Sequence, residues 1–259
     1  MEKLVIVDVY PDLLGTYGDG GNAEILKFRS QLRGYDVEII RSDSTEPLVK
    51  NGDIYLLGGG EDAPQRLAKE LLEKSGALSS ALESGAVVLG VCAGYQILGE
   101  SYVSNGNIES GLGLIEVSTS RKSSTRHVGE IIAKSPVLNG YLLTGYENHA
   151  SETYLGKSVK PLGSVIKGSG NFTKYEGSNN FSEGVIYKTV VGTYLHGPVL
   201  ARNPKFADYI LEMKLGRLES IDDTEIEALR DERLSIVLNS SGAQSFGHHI
   251  GSFLTARKV

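Results

Sequence analysis

Val87-Val88-Leu89-Gly90-Val91-Cys92-Ala93-Gly94-Tyr95-Gln96 carries the only cysteine of this 259-residue chain. A short apolar run ends in G-x-C-x-G, and a helix-like stretch follows. Small residues at Gly90, Ala93 and Gly94 let the backbone turn sharply from strand to helix. A turn of this kind pushes the side chain at its apex outward and points the next backbone N–H into the space above it. The serine version of the elbow is G-x-S-x-G. A thiol does the same work, because thiolate is the nucleophile and a helix N-terminus or nearby positive charge favours it.

Upstream of the elbow the chain alternates strand and helix. Leu4–Val9 reads as a buried, β-branched strand, and Asn22–Leu32 has helical apolar spacing at Ile25, Leu26, Phe28 and Leu32 before Gly34. Val37–Ile40 and Ile54–Leu57 read as strands, the second ending in Gly58-Gly59-Gly60. Pro64 to Leu82 reads as one long helix with Leu67, Leu71, Leu72 and Leu78 on or near one face, and Ala86–Val91 as the strand that delivers Cys92. Alternation of this kind implies a parallel sheet with right-handed crossovers. Ligands bind such sheets at the carboxyl ends of their strands. The loops Tyr17-Gly18-Asp19-Gly20-Gly21-Asn22 and Gly58-Gly59-Gly60-Glu61-Asp62 belong there with the elbow.

From about Gly111 to Tyr194 the pattern changes to short β-like runs: Leu114–Val117, Val128–Ile132, Val165–Ile166, Val185–Tyr187 and Val190–Leu195. Residues 168–180 are turn-rich and read as a mobile loop. Phe206–Met213 and Thr224–Leu238 read as helices, the second amphipathic, with a looser tail to Val259. The expected fold is α/β: a single flavodoxin-like three-layer domain over 1–215 with a parallel central sheet and extra β segments, then a C-terminal helical extension over 216–259.

Composition narrows the function. Hydrophobic residues make up 40% and charged residues 22%, ordinary for a globular protein with a sizeable core. The net charge is −6, no long basic run appears, and Arg121-Lys122 with Arg126 form only a small local cluster, which disfavours nucleic acid. One cysteine rules out an internal disulfide and a cysteine-based zinc cage, and no metal site is expected. The N-terminus starts straight into a strand pattern, and no apolar stretch approaches membrane-spanning length. A cytoplasmic protein without direct membrane insertion is expected.

A thiol nucleophile needs a base, and five histidines are available. His196 is best placed, because it ends the apolar run Val190-Val191-Gly192-Thr193-Tyr194-Leu195 in the loop layer where Cys92 also lies. Cysteine and histidine of such a pair meet in space, not in sequence. His248 and His249 sit in a polar tail, whereas His149, in Tyr146-Glu147-Asn148-His149, could line a pocket. Acyl transfer also needs oxyanion donors. The glycine run after Leu57 and the Ala93 N–H are the candidates.

These residues resemble a known family. Gly90-Val91-Cys92-Ala93-Gly94-Tyr95-Gln96 is similar to the nucleophile elbow of class I, triad-type glutamine amidotransferases. Gly192-Thr193-Tyr194-Leu195-His196-Gly197-Pro198 resembles the histidine motif of their cobyric-acid-synthase-like branch, and within it the GatD-type subunits of lipid II isoglutaminyl synthases. Thr16-Tyr17-Gly18-Asp19-Gly20-Gly21-Asn22, Gly58-Gly59-Gly60-Glu61-Asp62, Thr125-Arg126-His127-Val128-Gly129-Glu130 and Gly145-Tyr146-Glu147-Asn148-His149 support the resemblance. It spans roughly residues 3 to 215.

The resemblance implies that Cys92 attacks the side-chain amide of L-glutamine and that His196 is the base. It implies that Gly59, Gly60 and Ala93 hold the oxyanion, and that Gln96 and Arg126 bind substrate. A guanidinium fork suits the α-carboxylate of glutamine. Most class I members carry a carboxylate two residues after the histidine, where this chain has Pro198. Glu147 and Asp19 are weaker sources for that orienting group than a partner subunit. The partner implied is a MurT-like synthetase of Mur-ligase type, which would hold ATP and magnesium and amidate the D-glutamate of lipid II. No cofactor is expected in this chain, and no P-loop string G-x-x-x-x-G-K-[ST] is present. Competing readings are a glutaminase serving another acceptor, such as a corrinoid precursor, and a non-catalytic scaffold of the same fold.

Overall fold

Six residues, Leu4–Val9, form β1, and their side chains are nearly all buried. The structure is a computed structural model, and it describes residues 3–121 and 126–239. Next come α1 (Pro11–Leu14), α2 (Gly21–Gln31), β2 (Val37–Ser42) and β3 (Ile54–Leu57). They are followed by α3 (Asp62–Ser75), α4 (Ala77–Glu83), β4 (Val87–Val91) and α5 (Ala93–Leu98). The long helix expected over 64–82 is thus two helices. They part at Gly76, whose φ of 58° is left-handed and whose N–H closes on Leu72 O. Leu67 faces outward at 44% exposure, while Gln65, Ala68, Lys69 and Leu72 face in.

The middle of the chain holds more strand than its pattern suggests: β5 (Ser101–Ser104), β6 (Asn107–Ser110), β7 (Val117–Ser120), β8 (His127–Ser135) and β9 (Tyr141–His149). Then come β10 (Glu152–Leu155), β11 (Gly163–Lys167), β12 (Ser182–Glu183), β13 (Val185–Tyr187) and β14 (Val190–Thr193). The strand expected over 114–117 begins only at Val117. The chain ends its described part with α6 (Val199–Arg202), α7 (Pro204–Leu215) and α8 (Thr224–Asn239).

The central sheet runs β13-β14-β4-β3-β1-β2, parallel throughout except for the antiparallel edge strand β13. The order β2-β1-β3-β4-β14 is the flavodoxin-like order 2-1-3-4-5. Helices α2, α6 and α7 pack together, and so do α1, α3 and α5, with the sheet between the two groups. Two antiparallel-rich sheets are added, β10-β7-β5-β6 and β12-β11-β8-β9. β9 reaches the central sheet through Tyr146 and His196, which exchange backbone hydrogen bonds of 3.2 and 2.9 Å.

Helix α8 covers the β8–β9 sheet. Leu234 and Val237 are buried with Ile132, and Arg230 lies over the Tyr141 ring and donates to Leu142 O. The segment before it is tied down by Arg29, which bonds Asp208 and Asp223 at 2.7 Å each. No helix among the described residues is long and apolar enough to cross a membrane. His248 and His249 lie outside the described residues.

Candidate functional site

Register places the site. Leu57 sits beside Gly90, and Thr193 beside Val91, so β3, β4 and β14 end at one level. The loops leaving them carry Gly58-Gly59-Gly60, Cys92 and His196.

At the elbow Cys92 has φ 51° and ψ −105°, a strained conformation for a residue with a side chain. Strain of this sort costs about 1–3 kcal/mol and persists only where the surroundings over-determine it. Here they do. The Cys92 N–H donates to Thr193 O at 2.8 Å, and the Gly94 N–H to Gly58 O at 3.1 Å. A Cβ at Gly94 would stand 2.4 Å from Leu57 O, and one at Gly90 2.9 Å from the Tyr95 nitrogen. The glycines are required by close approach of backbone to backbone.

The histidine is held differently. His196 Nδ1 lies 3.0 Å from Asp19 Oδ2, both side chains buried, and the same oxygen accepts the Gly59 N–H at 2.9 Å. The sequence favours a partner subunit as the source of an orienting carboxylate; the structure brings the Asp19 carboxylate of this chain within hydrogen-bond reach of His196 Nδ1. The Pro198 ring packs so closely on the Asp19 loop that a Cβ at Gly21 would meet it at 2.4 Å.

His196 Nε2 is buried and makes no hydrogen bond. Burial opposes a charge on this ring, but the Asp19 hydrogen bond and the neighbouring Cys92 thiol outweigh it, and the pKa is pushed up to about 10. The Tyr17 ring stands 4.7 Å from the imidazole, and its hydroxyl donates to Glu61 at 3.0 Å.

Cys92, Gly60, Ala93, Gln96, Arg126 and His149 border one cavity. Gly59 is engaged otherwise: its amide is bound to Asp19, so of the three residues expected at an oxyanion only Gly60 and Ala93 keep amides without a hydrogen bond among the described residues. Arg126 is exposed at the mouth, its Nε on Asn148 Oδ1 at 2.6 Å and an Nη on the Tyr17 hydroxyl at 3.4 Å. Gln96 is buried with both ends of its amide bonded. Its Oε1 accepts from Gln65 at 2.9 Å, and its Nε2 donates to Ser151 at 2.8 Å and Tyr194 at 3.2 Å.

Two expected rim residues separate. His149 stacks on Tyr194 with centroids 3.9 Å apart and forms cavity wall. Glu147 turns away, with its two oxygens accepting the amides of Ser169 and Gly170 at 2.8 and 2.9 Å. It fastens the loop that follows β11 and takes no part in orienting His196. That loop is turn-rich as expected, yet Gly170 and Asn171 are buried, and Asn171 bonds Tyr95, Ser182 and Gly184.

Sequence reading missed Gln65, Tyr194 and Glu183. Glu183 Oε1 accepts from the Thr193 hydroxyl at 2.5 Å and the Tyr194 N–H at 2.9 Å, just before His196, while its Oε2 is buried without a partner. Burial raises its pKa to about 7. No spacing signal marks any of the three. Among the described residues no group of three or more His, Cys, Asp or Glu side chains could hold a metal ion.

Comparison with known proteins agrees with this architecture. Residues 5–204 match the CobB/CobQ-like glutamine amidotransferase domain. The chain is 36% identical over 215 residues to the GatD subunit of the glutamine-hydrolysing lipid II isoglutaminyl synthase of Staphylococcus aureus, covering 82% of this chain and 84% of that one. It is 35% identical over 211 residues to the same subunit of Streptococcus pneumoniae, covering 79% and 78%. Among solved structures a glutamine amidotransferase superposes with a TM-score of 0.57 at 20% identity, over 82% of this chain and 98% of that one. That likeness concerns the fold.

Proposed function

The chain belongs to the CobB/CobQ-like glutamine amidotransferase family, and from that membership and the Cys92 cavity we propose that it is the glutaminase subunit of a lipid II isoglutaminyl synthase. One observation carries the reading: Cys92, His196 and Asp19 converge where β4, β14 and the loop after α1 end, beside a cavity with two amides to offer.

The chemistry runs as follows. Cys92 is the nucleophile and His196 its proton partner, with Asp19 fixing the tautomer and plane of the ring. The thiolate attacks the carboxamide carbon of L-glutamine, and the oxyanion that forms is held by the Gly60 and Ala93 amides. The imidazolium gives its proton to the departing nitrogen, which leaves as ammonia, and a γ-glutamyl thioester remains on Cys92. Water then gives a proton to His196 and attacks the thioester, releasing glutamate and restoring the thiolate–imidazolium pair. Arg126 at the mouth binds the α-carboxylate.

The ammonia passes to a MurT-like synthetase subunit, which binds ATP and magnesium and activates the D-glutamate carboxyl of lipid II. Support for this partner and acceptor is the similarity to the two GatD subunits. Ammonia release from L-glutamine, measured with and without such a partner, tests the reading. Wild-type chain with partner should release ammonia and Cys92→Ala should not; equal rates in the two would leave a non-catalytic scaffold. Amidation of lipid II in the reconstituted pair separates the proposed acceptor from a corrinoid one.

A further inference from the structure

Gln65 projects from the first turn of α3 and is buried to 2% exposure, yet it borders the Cys92 cavity. Its Nε2 donates to Gln96 Oε1 at 2.9 Å and to Ala93 O at 3.3 Å, the residue next to the nucleophile. A primary amide has two N–H donors, so both are engaged inside the protein. Ala93 O can only accept, which fixes which end of the Gln65 amide faces it. Gln65 Oε1 accepts no hydrogen bond among the described residues, and Gln65 lines the Cys92 cavity. That oxygen is the polar atom of the side chain left for a ligand there.

Gln96 offers less. Its Oε1 already accepts from Gln65, and both its N–H groups go to Ser151 and Tyr194. The buried pair therefore presents an acceptor to whatever lies beside Cys92, with its donors turned inward. A carboxamide placed with its oxygen toward the Gly60 and Ala93 amides needs such an acceptor for its N–H. A carboxylate in the same place has no donor to give and meets an oxygen instead.

We infer that Gln65 is a specificity-determining residue of this site: its Oε1 reads the carboxamide N–H of L-glutamine and so distinguishes the amide from the glutamate product. This rests on the glutaminase reading and adds to it the atom that tells amide from acid. A site built to bond a substrate N–H discriminates strongly against an analogue lacking it, because its own buried polar group is left unpaired.

The test compares two substrates that yield the same product. L-glutamine has the N–H donors; the γ-methyl ester of L-glutamate has none. Glutamate release from each is followed with the full chain and its synthetase partner, with Cys92→Ala as background. In Gln65→Met, kcat/KM for glutamine should fall about tenfold or more, while that for the ester stays within about threefold. Gln65→Ala should give the same asymmetry. The glutamine-to-ester ratio, taken on one preparation, cancels any loss of folded protein. Equal losses on both substrates would make Gln65 a structural prop and overturn the inference, as would no loss on either. If wild type releases glutamate from neither substrate above background, the glutaminase reading itself has failed and this inference falls with it.

Discussion

The two halves of the site are held by opposite means. Cys92 is held by contact: glycines at 90 and 94 admit neighbouring backbone so closely that no Cβ fits, and the strained φ follows. His196 is held by charge and hydrogen bonding. Asp19 lies at its Nδ1, Tyr146 pairs with its backbone, and Glu183 grips the two residues that lead to it. A sterically fixed thiol is insensitive to pH in its placement, whereas an electrostatically fixed imidazole is not. Substitutions on the cysteine side should therefore act through packing, and those on the histidine side through protonation.

The largest effect belongs to Cys92, the proposed nucleophile. Cys92→Ala should lower glutamine hydrolysis by about 10⁴-fold or more with folding intact, since removing one member of such a unit loses nearly the whole. Asp19→Asn comes next, with a loss in kcat of roughly 10²–10⁴-fold, because the amide can hold the ring in the wrong tautomer. The assay should be run with partner present: full activity of Asp19→Asn there would return the orienting role to the partner. The same contact affects stability. His196 is raised from 6.5 to about 10, so its stabilising contribution is complete below pH 6.5 and is lost as pH rises through about 10. The melting-temperature gap between wild type and Asp19→Asn should narrow over that interval.

On the steric side Gly94→Ala should destabilise the fold by about 1–3 kcal/mol through the clash with Leu57 O, to the same extent at every pH. A denaturant titration at two pH values checks both statements. An effect of comparable size and opposite sign belongs to Glu183, whose pKa is raised from 4.5 to about 7 by burial. The folded state then binds the extra proton, so stability falls as pH rises between those values and levels off above them. The cost is on the order of 3 kcal/mol. Glu183→Gln removes it, and should melt higher than wild type at pH 8 by a larger margin than at pH 5. A margin independent of pH would show that Glu183 holds its place by shape alone.

The steric half was also the legible half. Gly90, Cys92 and Gly94 announce the elbow because a backbone that must turn there tolerates nothing larger, and β1, β3 and β4 show as apolar runs because both their faces are covered. The electrostatic half left weaker traces. His196 could be found from the strand it ends, but Asp19 is 177 residues away, joined only by folding. β9 hid as a polar cluster, since Glu147 turns to the loop after β11 while Asn148 and His149 wall the cavity in place of apolar side chains. The break at Gly76 was overlooked because the apolar spacing continues across it. Gln65 had no signal at all: a polar residue in a helix's first turn looks solvated until the cavity beside it is seen.

The most direct test is to catch the covalent intermediate. The chain and its partner are mixed with L-glutamine, quenched in acid within the first turnovers, and digested for mass mapping. A γ-glutamyl group on the peptide carrying Cys92, formed more slowly in Asp19→Asn, is the predicted result. Ammonia released by the wild type at full rate in the Cys92→Ala variant as well, with no adduct on that peptide, would contradict it.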